Sequence, residues 1–145
     1  MSEALEKTLR QATQCDLRFD AHNRQLYATD ASIYELVPVG VALPKSAEEV
    51  RQVLEVATAE GIPVIPRGGG TGLAGGAIGT GLVLDLARYN REITEFNAEA
   101  MTVRVGTGVV LDQLNTFLQP HGLCFGPDVA TSSRATFGGM IGNNS

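Results

Sequence analysis

An α+β domain is predicted, with a small parallel βαβ unit followed by a mixed and antiparallel sheet flanked by helices. Three observations predict it. Apolar runs at residues 37–43, 62–65 and 82–86 flank one helix-period stretch, 46–60. Two further short stretches, 92–96 and 101–105, lie too close together for a crossover and read as a hairpin. Seventeen glycines, most of them within 68–81 and 138–142, fall where the regular elements stop.

A chain of 145 residues, 43% apolar and 19% charged, has the size of one domain with a real core. Eleven basic against sixteen acidic residues give a net charge of -5, with no basic stretch, which excludes nucleic acid as an expected partner. The longest apolar stretch, 36–43, is far shorter than the ~20 residues of a membrane-spanning helix. Glu3 and Glu6 replace the basic start of a secretion signal. A cytoplasmic protein is expected, with peripheral attachment to a membrane left open. Cys15 and Cys124 stand far apart with no CxxC spacing, so no metal ligand set is assigned and both are expected to be buried thiols.

Residues 1–29 read as an N-terminal helical extension. Within them, 2–14 carry acidic residues first, then Lys7 and Arg10, with Leu5, Leu9 and Ala12 on one stripe. Residues 30–145 form the main domain. The 37–43 strand is ended by Pro44. Ser46 and Glu49 then pair as a capping box. Val50, Val53, Leu54 and Ala57 form a buried stripe, and Gly61 sits where a left-handed cap belongs. The 62–65 strand completes a strand-helix-strand unit and runs straight into the first glycine loop. After the 82–86 strand and the hairpin, whose turn includes Asn97, Val110, Leu111, Leu114 and Leu118 are spaced for a helix stopped by Pro120 and Gly122. The chain ends inside its second glycine motif, so a C-terminally truncated domain is expected.

The first loop is Pro66-Arg67-Gly68-Gly69-Gly70-Thr71-Gly72-Leu73-Ala74-Gly75-Gly76. Glycines let successive amides turn toward one point and let a ligand approach the main chain, which suits a phosphate or pyrophosphate. Arg67 adds positive charge and Thr71 a hydroxyl. A merely flexible surface turn is the competing reading, but six glycines in nine positions after a buried strand carry a large entropy cost. The segment 70–75 matches GxGxxG, yet Gly76, Gly79 and Gly81 would break the helix that this motif requires, and no acidic residue ends a second strand about 20 residues on. No Gly-Lys-Ser/Thr ends the run, so a P-loop fails as well.

Pro66-Arg67-Gly68-Gly69-Gly70-Thr71-Gly72-Leu73, then Val83-Leu84-Asp85-Leu86, then Pro127-Asp128 through Ala135-Thr136-Phe137-Gly138-Gly139 together resemble the FAD-binding domain of the vanillyl-alcohol oxidase and p-cresol methylhydroxylase superfamily. The wording is most similar to the FAD-linked 2-hydroxyacid dehydrogenases, a group that includes D-lactate dehydrogenase, glycolate oxidase FAD-binding subunits and D-2-hydroxyglutarate dehydrogenase. The resemblance implies that Arg67, Gly68, Gly69, Gly70, Thr71 and Gly72 wrap the FAD pyrophosphate. It implies that Pro127, Asp128, Thr131, Ser132, Ala135, Thr136, Gly138, Gly139, Gly142 and Asn143 line the side toward the ribityl chain and isoalloxazine. Small residues and hydroxyls at 131–139 agree with that division, although the stretch alone also reads as a capped, glycine-weakened helix start. Some members tether the flavin through a histidine after the glycines. Thr71 stands there, so non-covalent FAD is expected.

His22, His121 and Cys124 carry packing or surface roles in this reading, and no catalytic residue is assigned. The resemblance implies hydride transfer from a small hydroxy acid to FAD, with the acid held by a substrate domain missing from the sequence. It also implies an electron-acceptor protein or an iron–sulfur segment as partner. A non-catalytic flavin-binding subunit acting beside another chain remains the alternative, and a nucleotide-sugar reductase a remoter one.

Overall fold

The computed structural model describes residues 2–145. Its elements in chain order are α1 (Ser2–Ala12), β1 (Asp16–Arg18), α2 (Ala21–Leu26), β2 (Gly40–Leu43), α3 (Ala47–Ala59), β3 (Val64–Arg67), β4 (Leu82–Asp85), β5 (Ile93–Asn97), β6 (Thr102–Val105), α4 (Leu111–Leu118) and α5 (Phe137–Gly142). A 3-10 turn, Gln119–His121, closes α4. The α+β class is the one expected.

Four strands form one sheet in the order β1-β2-β4-β3, with β1 antiparallel to β2 and the other pairs parallel. The βαβ unit is therefore present, but β4 sits between its two strands, with Val83 opposite both Val41 and Ile65. Both inner strands are buried along their whole length, as parallel strands covered on two faces should be. The edge position of β3 accommodates Pro66, which has no N–H for a second neighbour. The period of two divides the apolar residues between faces. Ala42, Leu82 and Leu84 pack with Leu5, Leu9, Val53 and Ala57 of α1 and α3, and Val41, Leu43 and Val83 pack with Tyr27 and Ile65. The part of 1–29 that follows the first helix thus holds a strand of the main sheet, and α1 is packed into its core.

The start of α3 is capped as expected in part. Ser46 Oγ accepts from the Glu49 N–H at 3.2 Å, but Glu49 Oε2 accepts from the Lys45 N–H, one residue before the cap. Gly61 is left-handed at φ +65°. Leu54 is a correction: it is 40% exposed, because the buried stripe runs through Val53, Val56 and Ala57 and leaves Leu54 at its margin.

A second core joins the hairpin to the later helices. Val109, Leu111, Leu114, Leu118, Phe137 and Met140 are buried against Ile93, Phe96, Val103 and Val105. Cys124 is a further correction, since it is exposed. Leu123 and Phe125 both pack on this core, and the residue between them is turned out. Among the described residues no helix is long and apolar enough to cross a membrane.

Candidate functional site

Strand β3 delivers the glycine loop from the first core, and the Thr136 cap of α5 rises from the second. The two meet. A Cβ on Gly68 would lie 2.3 Å from Thr136 Oγ1, and one on Gly69 would lie 2.3 Å from the Arg134 carbonyl oxygen. Glycine is required here by close approach of one chain segment to another. Thr136 is 2% exposed and its Oγ1 accepts from the Gly139 N–H at 3.4 Å, capping α5. The segment is fixed from below by the Leu111 N–H on the Ala135 carbonyl, the Phe137 N–H on the Val109 carbonyl and the Gly138 N–H on the Thr107 carbonyl.

Between loop and segment lies an open-mouthed cavity of about 340 Å³. Arg67, Gly68, Gly69, Gly70, Thr71 and Gly72 line one wall. Thr131, Ala135, Thr136, Gly138, Gly139, Gly142 and Asn143 line the other. Pro127, Asp128 and Ser132 stand outside the lining: the first two are exposed, and the Ser132 carbonyl accepts from the Asp112 N–H at the start of α4. Leu86, Thr107 and Val129 also line the cavity; none is a site residue expected from the sequence, although Leu86 ends the Val83-Leu84-Asp85-Leu86 motif.

The donor set is that of an anion cradle. Among the described residues, the amides of Gly69, Gly70, Thr71 and Gly72 donate no hydrogen bond within the chain. No helix follows the loop, so these amides are not the first turn of anything. Gly70 is left-handed at φ +65°, and a Cβ on Gly72 or Gly142 would meet no atom of the chain. Arg67 is the one charged side chain in the lining. Its Nη1 is occupied with the chain itself, donating to the carbonyls of Tyr27 at 3.4 Å and Ala77 at 3.2 Å, so it also ties the loop's ends together. The arrangement can hold a phosphate-bearing group on main-chain amides while a flat, uncharged body lies along the small residues of the opposite wall.

Tyr27 and Asp85 support this wall. The Tyr27 hydroxyl donates to Asp85 Oδ2 at 2.6 Å, and the ring lies 5.2 Å below the Arg67 guanidinium. Burial first, and then the bond to Asp85, push the phenol well above its ordinary range. His121 is remote, packed on Phe96 at 4.5 Å between ring centroids, and His22 is an exposed residue of α2.

The FAD binding domain family matches residues 38–145. D-2-hydroxyglutarate dehydrogenase of Pseudomonas putida is 43% identical over 145 residues, covering 96% of this chain and 14% of its own length. Glycolate oxidase subunit GlcD of Bacillus subtilis is 34% identical over 132 residues, covering 88% of this chain and 28% of its own length. The chain therefore spans a small part of each relative. Among solved structures, alkyldihydroxyacetonephosphate synthase superposes with a TM-score of 0.82 at 22% identity, over 96% of this chain and 31% of its own. p-Cresol methylhydroxylase superposes with a TM-score of 0.79 at 18% identity, over 96% of this chain and 28% of its own. Both share the fold.

Proposed function

The chain belongs to the FAD-binding domain family, and from that premise we propose that its glycine-lined cavity holds FAD, without a covalent bond, as the cofactor module of a longer oxidoreductase acting on 2-hydroxy acids. The observation that carries this reading is the set of four unspent amides in a loop, 69–72, that lines the cavity opposite glycines and hydroxyls, with Arg67 the one charged side chain in the lining. A diphosphate needs several donors, and a run of glycine amides with an arginine beside it supplies them.

In this reading the 69–72 amides bind the diphosphate, and Gly142 and Gly139 let the body of the cofactor approach the backbone. Thr131, Thr136 and Asn143 supply neutral hydrogen-bonding groups, and Pro127, Asp128 and Ser132 serve at the rim. Thr71 offers a hydroxyl and no imidazole for a flavin linkage. FAD supplies the hydride-accepting chemistry when bound, while the chain supplies binding, orientation and exclusion of water. The substrate class follows the relatives, named for D-2-hydroxyglutarate and glycolate. The acid itself, and an electron-acceptor protein or iron–sulfur segment, would meet the flavin through parts that the relatives have beyond this region. A cytoplasmic location, at most peripheral to a membrane, fits the two unpaired cysteines.

Dye reduction by FAD-saturated protein tests the proposal, with D-2-hydroxyglutarate, glycolate and D-lactate supplied in turn. The 145-residue chain should be inactive, because an unpositioned substrate forfeits about 7–11 kcal/mol of proximity. The same chain joined to the remainder of its enzyme should oxidise at least one of the three acids. Robust substrate-dependent reduction by the short chain alone would contradict the assignment as a cofactor module. Absence of activity on every 2-hydroxy acid in the longer protein would contradict the substrate class.

A further inference from the structure

The family match begins at residue 38, yet four ties to the glycine loop come from residues 27–34. The Tyr27 carbonyl accepts from Arg67 Nη1. The Ala31 N–H donates to the Gly70 carbonyl at 3.0 Å. Asp30 Oδ2 accepts from the Ala77 N–H at 3.4 Å, and the Tyr34 ring would stand 3.0 Å from a Cβ on Gly75. The loop is thus held near its start, at its left-handed turn and at its far end by one short stretch.

Asp30 is the most constrained member of that stretch. One carboxylate oxygen accepts from the Ser32 N–H at 2.8 Å in a local turn, which aims the other at Ala77. Burial pushes this carboxyl up, but the bonds from Ser32 and Ala77 and the nearby charge of Arg67 outweigh it and hold the group below its usual range. Asp30 is therefore an anion beside the loop whose two oxygens are both turned to the chain and not to the cavity, where it would repel a diphosphate.

We infer that Asp30 is a positioning residue for the cofactor loop: by fixing Ala77 it sets the spread at which the 69–72 amides stay unbonded, so that residues 27–34 are an integral part of the site. This rests on the reading of the cavity as an FAD site. Tyr27 contributes to the same clasp through Asp85 and Arg67, which joins the stretch to the sheet as well as to the loop.

FAD titration of the full chain tests this, comparing Asp30→Ala with Asp20→Ala. Asp20 is the control because its carboxylate caps α2 through the Asn23 N–H and touches nothing in the loop. Asp30→Ala should weaken FAD about tenfold, the scale of one lost charge-assisted hydrogen bond. Asp20→Ala should lower stability and leave FAD affinity unchanged. In FAD-free protein, amide exchange at Ala31 should quicken about tenfold in Asp30→Ala only, reporting an opened clasp. Unchanged FAD affinity in Asp30→Ala, or equal weakening in Asp20→Ala, would overturn the inference. Should the unsubstituted chain bind no FAD, the cofactor reading fails by itself; unchanged Ala31 exchange would then overturn the clasp, and faster exchange would uphold its hold on the loop.

Discussion

Gly68 and Thr136 touch across the base of the cavity: a Cβ on Gly68 would lie 2.3 Å from Thr136 Oγ1, while that oxygen also caps α5 through the Gly139 N–H. One small residue thus joins two cores that are separately built. Gly68→Ala should cost about 1–3 kcal/mol, the scale of overpacking, and weaken FAD because the walls must part. Thr136→Ala should cost about 1 kcal/mol as a lost cap. The double variant should be less destabilised than the sum, since removing Oγ1 makes the room that the new Cβ needs. Urea unfolding of the four proteins measures the cycle, and strict additivity would show that the two residues do not press on each other.

Leu9 is fully buried between α1, α3 and the sheet. Leu9→Ala should therefore cost about 2–5 kcal/mol, the range for a core leucine. Far-UV circular dichroism during thermal unfolding checks it. A change under 1 kcal/mol, the behaviour of ~0.5 kcal/mol surface substitutions, would mean that α1 is a detachable extension.

The two cysteines should separate by reactivity. Cys124 is exposed and should react with a thiol reagent in the native protein, whereas Cys15 should react only on unfolding. Burial first, and then the charge of Glu49, push the Cys15 thiol from about 9.0 up to about 12. A raised folded-state value means that the native state prefers the neutral thiol, so this stability is full below about pH 9 and is lost as pH rises toward 12. Melting temperatures across that interval should fall less steeply in Cys15→Ala. The fall that persists belongs in part to Tyr27, whose phenol is shifted in the same direction. Rapid labelling of both thiols in the native protein would contradict this account.

Flavin bound to the chain should be released entirely by acid precipitation, because the glycine loop carries Thr71 after its three glycines and contains no histidine. Yellow colour retained in a washed pellet would reject non-covalent binding.

What the sequence made legible was local. The capped helix α3, the glycine loop after a strand and the hairpin each carry their signal within a few consecutive residues, and each is present. Strand β1 is three residues long and exists because Leu17 pairs with Ala42, and the six-residue α2 buries no residue, so neither leaves a periodic trace. Placing β4 between β2 and β3 depends on pairings that no short window contains. At the site, both glycine motifs were readable because each must accommodate close approach. Tyr27 and Asp30 were not, because their partners on the loop are main-chain groups and Arg67, about forty or more positions away. Cys124 was misread as buried for a related reason: its apolar neighbours describe their own burial and say nothing of the residue turned between them.

The most direct test of the central claim is FAD titration of the chain and of Gly70→Val, followed by flavin fluorescence, with circular dichroism to confirm that both are folded. Gly70 holds φ +65°, and a side chain there is strained by about 1–3 kcal/mol while also crowding Arg67 Nη2, 3.0 Å from the added Cβ. The account predicts saturable binding of one FAD by the parent and a loss of about a hundredfold, equivalent to about 2.7 kcal/mol, in a variant with an unchanged spectrum. A folded Gly70→Val chain that titrates as the parent does would place the FAD site elsewhere and contradict the assignment of the glycine loop.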